Sequence, residues 1–453
     1  MSPSRREFLK ATGAIATVAT GAVATGAAAT GAALGAAPAA AQPGKRRYAV
    51  VGTGVRAIGM WGRPLAQQFP DRLDFVGLCD TNSKRVELAR RAIGTSCPTF
   101  TDFNRMCDAA RPELLAVTTV DAYHADYIVA ALDRGIDVIT EKPMVIDEEQ
   151  CGKVLEAERR NSRKIVVAFN YRFAPKHVKI KEVLQSGAIG TITGVDFHWY
   201  LDTSHGADYF RRWHRLKEQG GSLWVHKATH HFDLINWWLG ADPVEVHAFG
   251  ELSHYGRKGP FRHANCRPCP HKAGCPYYWD ITKARGMEIY TEAESEDGYH
   301  RDGCVFREDV NIWDTMTASV RYSSNVLMSY SLNTFMPIEG YALAFNGTKG
   351  RLEVRDYERQ PWTVGDETEI YLTRNFGARE RVQIPRAEGG HGGGDRRLHE
   401  LIFRNADAPA HLRLPDSRAG AMSCLTGIAA RKSVEEKRPV TIAELGIEPA
   451  PSA

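Results

Sequence analysis

No run of basic residues interleaves with aromatics in this sequence, and 58 Lys and Arg against 54 Asp and Glu leave a net charge of only +4. Nucleic-acid binding therefore has no compositional support. Beyond the first 41 residues, no stretch of membrane-spanning length is apolar enough to insert stably. Nine cysteines over 453 residues are too sparse for a small disulfide scaffold. There is no internal repeat. What is present is ordinary globular composition, 43% hydrophobic and 25% charged, in a chain long enough for two domains.

The first 41 residues stand apart. Ser4, Arg5, Arg6, Glu7, Phe8, Leu9 and Lys10 read as a twin-arginine export signal, followed by an Ala/Gly/Thr stretch that ends in Ala39, Ala40 and Ala41. The small residues near Ala41 suit signal peptidase, and the stretch is too glycine-rich and weakly hydrophobic for a transmembrane anchor. The expected partner is the Tat export machinery, and the expected location is periplasmic or extracellular. That route carries folded proteins, often with their cofactor already bound.

The mature chain is organised around Tyr48 to Ala57. Tyr48 to Val51 reads as a buried parallel strand that runs into Gly52 and Gly54 and then a helix. In a dinucleotide site the first glycine permits the tight turn, and the second lets a pyrophosphate approach the backbone. A third small residue, Ala57 or in another register Gly59, lets helix and strand pack closely. The helix N-terminus, with Val55 and Arg56, offers N–H groups and a positive dipole to phosphates. A second strand, Leu73 to Cys79, ends at Asp80 and Thr81, where a ribose-binding carboxylate belongs. Asp80 favours NAD, because a carboxylate repels a 2′-phosphate; Lys84 and Arg85 leave NADP open.

Strand and helix then alternate: helix Ser83 to Ile93, strand Leu114 to Thr119, helix Tyr123 to Arg134, strand Asp137 to Thr140, helix Asp147 to Asn161, strand Lys164 to Phe169. That pattern predicts a doubly wound parallel sheet over residues 46–170. After about Ala174 one helix is followed by long strand-like runs, which predicts an α+β domain with a large, mostly antiparallel sheet over 171–441. A helix from Leu223 to Leu239 interrupts those runs. A Cys-rich insertion lies near 255–305, and 442–453 form a tail.

Glu141, Lys142 and Pro143 fall at the end of a parallel strand, where open α/β sheets bind ligands. A lysine there can hydrogen-bond a substrate hydroxyl and lower the energy of a developing alkoxide. Gly220 and Gly221 open a helix that carries His226, Lys227, His230 and His231. On a helix, His226 and His230 are four apart and share one face, as do Lys227 and His231, so Lys227, His230 and His231 can place a base and an electrostatic partner over a bound substrate. No glutamate supplies the metalloprotease pattern, so zinc binding by these histidines is weakly supported. Cys266, Cys269, Cys275 and Cys304 have a zinc-knuckle beginning; structural zinc, disulfides and free thiols all remain open. Cys79, Cys107 and Cys151 read as buried apolar residues. Two polar clusters are expected at the substrate: His205 to Arg215, with Tyr209, Trp213 and His214, and Gly390 to Asp395, with His391. The second also reads as a surface loop with Asp395 as a helix N-cap.

These motifs together resemble the Gfo/Idh/MocA family of sugar and inositol oxidoreductases, from about Arg47 to Thr441. The likeness rests on the Gly52/Gly54 turn, Asp80, the Thr119–His124 turn, Glu141-Lys142-Pro143, Asn170 with Arg172, and the glycine-started His230 helix. It implies that Lys142 and His230 are catalytic, His230 exchanging the hydroxyl proton while hydride moves to or from nicotinamide. It adds Thr119, His124, Glu141, Lys142 and Asn170 to the cofactor set, and Arg172 and His231 to the substrate set. Family members often carry an aspartate four residues before the histidine. Here that position is His226, with Lys227 beside it, which leaves the assisting carboxylate unassigned.

The expected activity is an exported, NAD(P)-dependent oxidoreductase with tightly held cofactor, acting on a sugar, sugar derivative or cyclitol. A closed redox cycle, as in glucose–fructose oxidoreductase, suits a compartment without free NADH. The alternatives are an NAD-dependent glycosidase or lyase working by transient oxidation and elimination, and a non-catalytic sugar- or nucleotide-binding protein. A homo-oligomer is expected.

Overall fold

The computed structural model describes residues 44–360, 368–385, 389–404 and 408–450. The expected export signal over 1–41 and the last three residues of the tail lie outside the described residues. Six parallel strands form the first sheet: β1 (Arg46–Val51), β2 (Leu73–Cys79), β3 (Thr99–Phe100), β4 (Leu114–Val117), β5 (Asp137–Thr140) and β6 (Ile165–Val167). Their order is β3-β2-β1-β4-β5-β6. Leu114–Val117 is buried at every position, as a parallel strand covered on both faces must be. The following helices are set locally. Ser83–Ile93 begins where the Asn82 side chain accepts the Arg85 N–H, and it ends at Gly94 in the left-handed region, φ 83°. The order reverses between β1 and β4, and the crevice outside their C-terminal ends is where such sheets bind ligands.

The second sheet has nine strands: β7 (Ile192–Asp202), β8 (Pro243–Glu251), β9 (Thr315–Tyr322), β10 (Leu327–Met336), β11 (Glu339–Gly347), β12 (Gly350–Arg359), β13 (Thr368–Arg374), β14 (Arg379–Arg381) and β15 (Val440–Thr441). The order is β14-β13-β12-β11-β7-β10-β9-β8-β15. Neighbours are antiparallel except β7 and β10, which run parallel. Strands β9 and β10 alternate exposed and buried residues, so one face packs on the core. This is the expected pairing of a doubly wound parallel sheet with an α+β domain. The chain beyond 441 stays attached: Ile442 and Leu445 are buried, and the Ala450 N–H donates to Asp242.

Three local features differ from expectation. The glycine turn leads into a π-helical turn, Ala57–Gly62, before the α-helix Arg63–Gln68. Thr203–Arg211 is helical, started by Asp202, which accepts the Ser204 and His205 N–H groups. The helix expected over Leu223 to Leu239 is interrupted at Lys227, giving Leu223–His226 and Ala228–Leu239.

The helix Ser417–Glu436 is buried on most of its circumference and packs on β6, β8 and the helices Glu148–Asn161 and Ala228–Leu239, joining the two halves. At Gly427 it touches the backbone of the short helix that ends in His226: an added Cβ would fall 2.2 Å from the Trp224 carbonyl oxygen. Gly427→Ala is therefore expected to destabilise by about 1–3 kcal/mol, the usual cost of overpacking. Denaturant unfolding checks this, and an unchanged midpoint would show that the helices have room to spare.

Candidate active site

The glycine turn is built for a close backbone approach. Gly52 has φ 81°, and a Cβ there would fall 2.7 Å from the Thr119 Cα and N. No other residue type fits that crossing of the β1 and β4 ends. Ala57 is fully buried, whereas Gly59 is exposed with open space around it, so Ala57 is the third small residue. Asp80 lies under the turn. Its Oδ2 accepts the Thr53 N–H at 2.8 Å and hydroxyl at 3.1 Å, and its Oδ1 accepts from Asn82 N–H and Arg85. Glu141 at the end of β5 accepts from Arg56 at 2.6 Å and from the Trp61 indole at 2.8 Å. Burial works against the Glu141 charge, but Arg56, Trp61 and Lys142 outweigh it and hold the carboxylate below its usual range.

A cavity of about 800 Å³ opens over this turn. Gly52, Gly54, Val55, Arg56, Asp80, Thr81, Arg85, Thr119, His124, Glu141 and Lys142 line it from the parallel sheet. Arg212, Trp213, His214, Gln219 and His226 line it from the second domain, and Tyr290, Asp297 and Tyr299 from the insertion. The Lys142–Pro143 peptide is cis. His124 ties this turn to the next one, with Nδ1 2.7 Å from the Pro143 carbonyl and Nε2 3.2 Å from that of Thr119. Half-buried Lys142 donates from Nζ to the His226 carbonyl at 3.1 Å. Burial, opposed by Asp121 and Glu141, lowers its pKa to about 8.

Family models match both halves. The model described as "Oxidoreductase family, NAD-binding Rossmann fold" matches residues 46–169, and "Oxidoreductase family, C-terminal alpha/beta domain" matches 181–442. The chain belongs to the Gfo/Idh/MocA oxidoreductase family. YteT of Bacillus subtilis (strain 168), which its name designates an oxidoreductase, is 39% identical over 416 residues, covering 87% of this chain and 97% of its own. The inositol 2-dehydrogenase of Salmonella typhimurium is 28% identical over 201 residues, 43% of this chain and 56% of that one. Among solved structures, the WlbA dehydrogenase from Bordetella pertussis, in complex with NADH and UDP-GlcNAcA, shares the fold with a TM-score of 0.62. Its identity is 17%, covering 88% of this chain and 98% of that one. Aldose-aldose oxidoreductase from Caulobacter crescentus gives 0.60 at 16% identity, over 88% and 99%.

This Gfo/Idh/MocA chain distributes its expected catalytic residues over two places. The helix is interrupted at Lys227, and His226 and His230 have different neighbours. His226 lines the cavity beside Lys142, and its Nδ1 lies 2.5 Å from Asp121 Oδ2. His230 is stacked on Tyr171, ring centroids 4.4 Å apart, and its buried Nδ1 has no hydrogen-bond partner among the described residues. Burial, then Lys142 and Lys227, hold its imidazole well below its ordinary pKa. Lys227 sits over the Trp199 ring at 4.8 Å.

The expected substrate residues also divide. Trp213 and His214 line the cavity; Tyr209 packs beside His226 and His214, with its hydroxyl 3.0 Å from His205 Nε2. Two assignments are corrected. Arg172 is not free for substrate: it forms a two-pronged ion pair with Asp233, at 2.7 and 2.5 Å, inside the protein. His231 is core, stacked on Trp199 at 4.0 Å, with Nδ1 2.7 Å from the Tyr330 hydroxyl. Asn170 is fully buried and donates to Asp395 at 2.5 Å, while His391 lies 3.0 Å from the same carboxylate and 6.5 Å from His230. That pairs the Gly390–Asp395 turn with the His230 side, away from the cavity lining.

Of the three readings left open for Cys266, Cys269, Cys275 and Cys304, the structure matches free thiols. All nine cysteines are unpaired, and among the described residues no group of three or more His, Cys, Asp and Glu is placed to hold a metal. The sulfurs are engaged singly: Cys266 accepts from Arg211 at 3.2 Å, and Cys304 from the Phe306 N–H at 3.4 Å. Ion pairs hold the insertion instead. Arg267 bridges Asp302 and Glu294, and Arg301 reaches Asp208, which also binds Arg212.

The insertion then crosses to the nucleotide side. The Val55 N–H donates to the Tyr290 hydroxyl at 3.2 Å, Arg85 pairs with Asp297 at 2.5 Å, and Asn82 donates to the Ala293 carbonyl at 2.9 Å. Arg212 belongs to the cluster expected at the substrate, whereas Asp121, Tyr290, Asp297 and Tyr299 were not expected at the site. Asp121 stood inside the Thr119–His124 motif and was legible there; nothing in the local pattern marks Tyr290.

Proposed function

We propose that this chain is an exported oxidoreductase that retains its nicotinamide dinucleotide and transfers hydride between it and a hydroxyl of a sugar, sugar derivative or cyclitol. One observation carries the reading: a single cavity joins the glycine turn and Lys142 to Arg212, Trp213 and His214. The chain's residues fit a dinucleotide, since Gly52 allows the backbone crossing a side chain would block, and Gly54, Val55 and Arg56 behind it line the cavity. When bound, the dinucleotide supplies the hydride acceptor or donor. Lys142 donates a hydrogen bond to the substrate oxygen as charge develops there, and Trp213 offers an apolar face to a ring.

Asp80 supports NAD over NADP. Arg85 is bridged between Asp80 and Asp297, so its guanidinium is already neutralised and is a poor seat for a 2′-phosphate. The insertion supports retention, because Tyr290 and Asp297 tie it to the turn and to the helix that frame the nucleotide. Denaturing the purified protein should release NAD or NADH in near one-to-one amount. Asp297→Ala, which leaves the glycine turn intact, is expected to raise the dissociation rate roughly tenfold, about one charge-assisted hydrogen bond. Purification without any dinucleotide would sink the retention reading. Export is checked by fractionating cells that express the full chain or an Arg5→Lys, Arg6→Lys variant, the latter expected to stay inside. The exposed Phe249 and Leu327 on the large sheet suit a homo-oligomer.

A second reading keeps the same site. His214 lines the cavity with its ring 4.0 Å from that of His226, which provides two imidazoles where an elimination after transient oxidation needs a base and an acid. Sugars and glycosides offered to the protein as isolated distinguish the two. Net reduction of bound nucleotide by free sugars supports the first, and consumption of glycosides alone without net redox change supports the second.

A further inference from the structure

We propose that Asp121 and His226 form the proton-transfer couple of this site, His226 as the catalytic residue at Nε2 and Asp121 as the positioning residue behind it. The inference rests on the oxidoreductase reading above. The two residues are 105 positions apart, and the fold places Nδ1 2.5 Å from Oδ2. Both side chains are almost wholly buried, yet His226 lines the cavity, and among the described residues its side chain hydrogen-bonds only through Nδ1, to Asp121. Its orientation is fixed on every side: the Lys142 ammonium is on its own carbonyl, the His214 ring is 4.0 Å from its ring, and Tyr209 and Trp213 pack at 5.4 and 5.8 Å.

The arrangement supplies the carboxylate that His226 displaces from its own position in the chain. Asp121 delivers it from the Thr119–His124 turn, one step further back, through the imidazole. His230, by contrast, faces Tyr171 outside the cavity lining. In the oxidation direction the substrate O–H bond breaks, its proton passes to Nε2, and the hydride of the adjoining C–H goes to oxidised nicotinamide. Reduction returns the same proton. One proton stays between Nδ1 and Oδ2 throughout, which keeps Nε2 available.

The charged and titratable groups facing the couple are Lys142, Arg212, Glu141, His214, Lys227 and His124; burial, with Glu141, pushes the Asp121 carboxyl up against the pull of Lys142 and Arg212. Burial, followed by Lys142 and Arg212, holds the imidazole well below its ordinary value, so the acid limb of the oxidation profile belongs below pH 6.5.

The test uses the purified protein with its bound dinucleotide. His226→Gln is expected to lower kcat by about 10²–10⁴-fold. Asp121→Asn should lower it roughly 100-fold with KM changed less than about threefold, and should move the acid limb. His230→Gln serves as comparison. Imidazole nitrogen NMR of the wild type gives an independent readout, in which Nε2 of His226 titrates and Asp121→Asn shifts that titration. The couple is overturned if His226→Gln keeps turnover within about threefold while His230→Gln abolishes it, or if the His226 titration ignores Asp121→Asn. If Asp121→Asn does not fold, His226→Gln and the wild-type titration decide. A wild type that reduces its nucleotide with no sugar or cyclitol defeats the oxidoreductase reading instead, and the NMR titration still judges the couple.

Discussion

Lys142→Ala lowers kcat by roughly 10²–10³-fold, the cost of removing one donor aimed at a developing oxyanion, while the dinucleotide stays bound. The lysine's Nζ hydrogen bond is to the His226 carbonyl, across the cavity. Its pH signature follows from its surroundings. Burial depresses the ammonium to about 8 against the pull of Asp121 and Glu141. Below that value the donor is charged, and above it the donor is neutral. For substrate oxidation, kcat/KM should therefore fall as pH rises through about 8. A profile that instead rises through 8 would make Lys142 the base and remove it from the donor role. Retained nucleotide, measured after denaturing the variant, separates this loss from a collapse of the site.

Gly52→Ala should abolish dinucleotide binding and cost about 2–5 kcal/mol of stability, combining a left-handed non-glycine backbone with a clash in a packed interior. The Cβ would meet Thr119 backbone at 2.7 Å and the Thr118 carbonyl carbon at 2.8 Å, and no side-chain rotation relieves a backbone contact. Gly59→Ala is the control. It is exposed with nothing within 4 Å, so it should be neutral or gain up to about 1 kcal/mol from reduced chain entropy. Equilibrium unfolding and nucleotide content of the two variants give the answer. Equal behaviour would mean that the tight crossing lies elsewhere in the turn.

The parallel half was legible because its rules are local. Leu73–Cys79 and Ser83–Ile93 have the bounds that the apolar run, the Asn82 cap and Gly94 set for them. The interruption at Lys227 was not legible. Residues 228–239 are buried nearly all round, so the pattern carries no stripe whose phase shift would betray a break. The candidate site was half legible: the glycine turn, Asp80 and Lys142 follow from motif spacing, whereas Asp121 meets His226 only through packing. Arg172 misled because an arginine beside a motif resembles a ligand group until its Asp233 partner, 61 residues on, is seen. The cysteines were left undecided, since spacing alone says nothing about where each sulfur points.

The Tyr290–Val55 hydrogen bond joins residues 235 positions apart. A ribosome releases the glycine turn long before the tyrosine that completes its rim. The parallel domain can fold first, as N-terminal domains do during synthesis, but the nucleotide pocket gains its outer wall only after some 300 residues have emerged. There is thus an interval in the chain's birth when the turn is formed and its gate is absent. Nucleotide taken up then meets an open site; nucleotide taken up later must pass the insertion. If the dinucleotide is retained as proposed, the order of assembly bears, beside affinity, on how it is taken up.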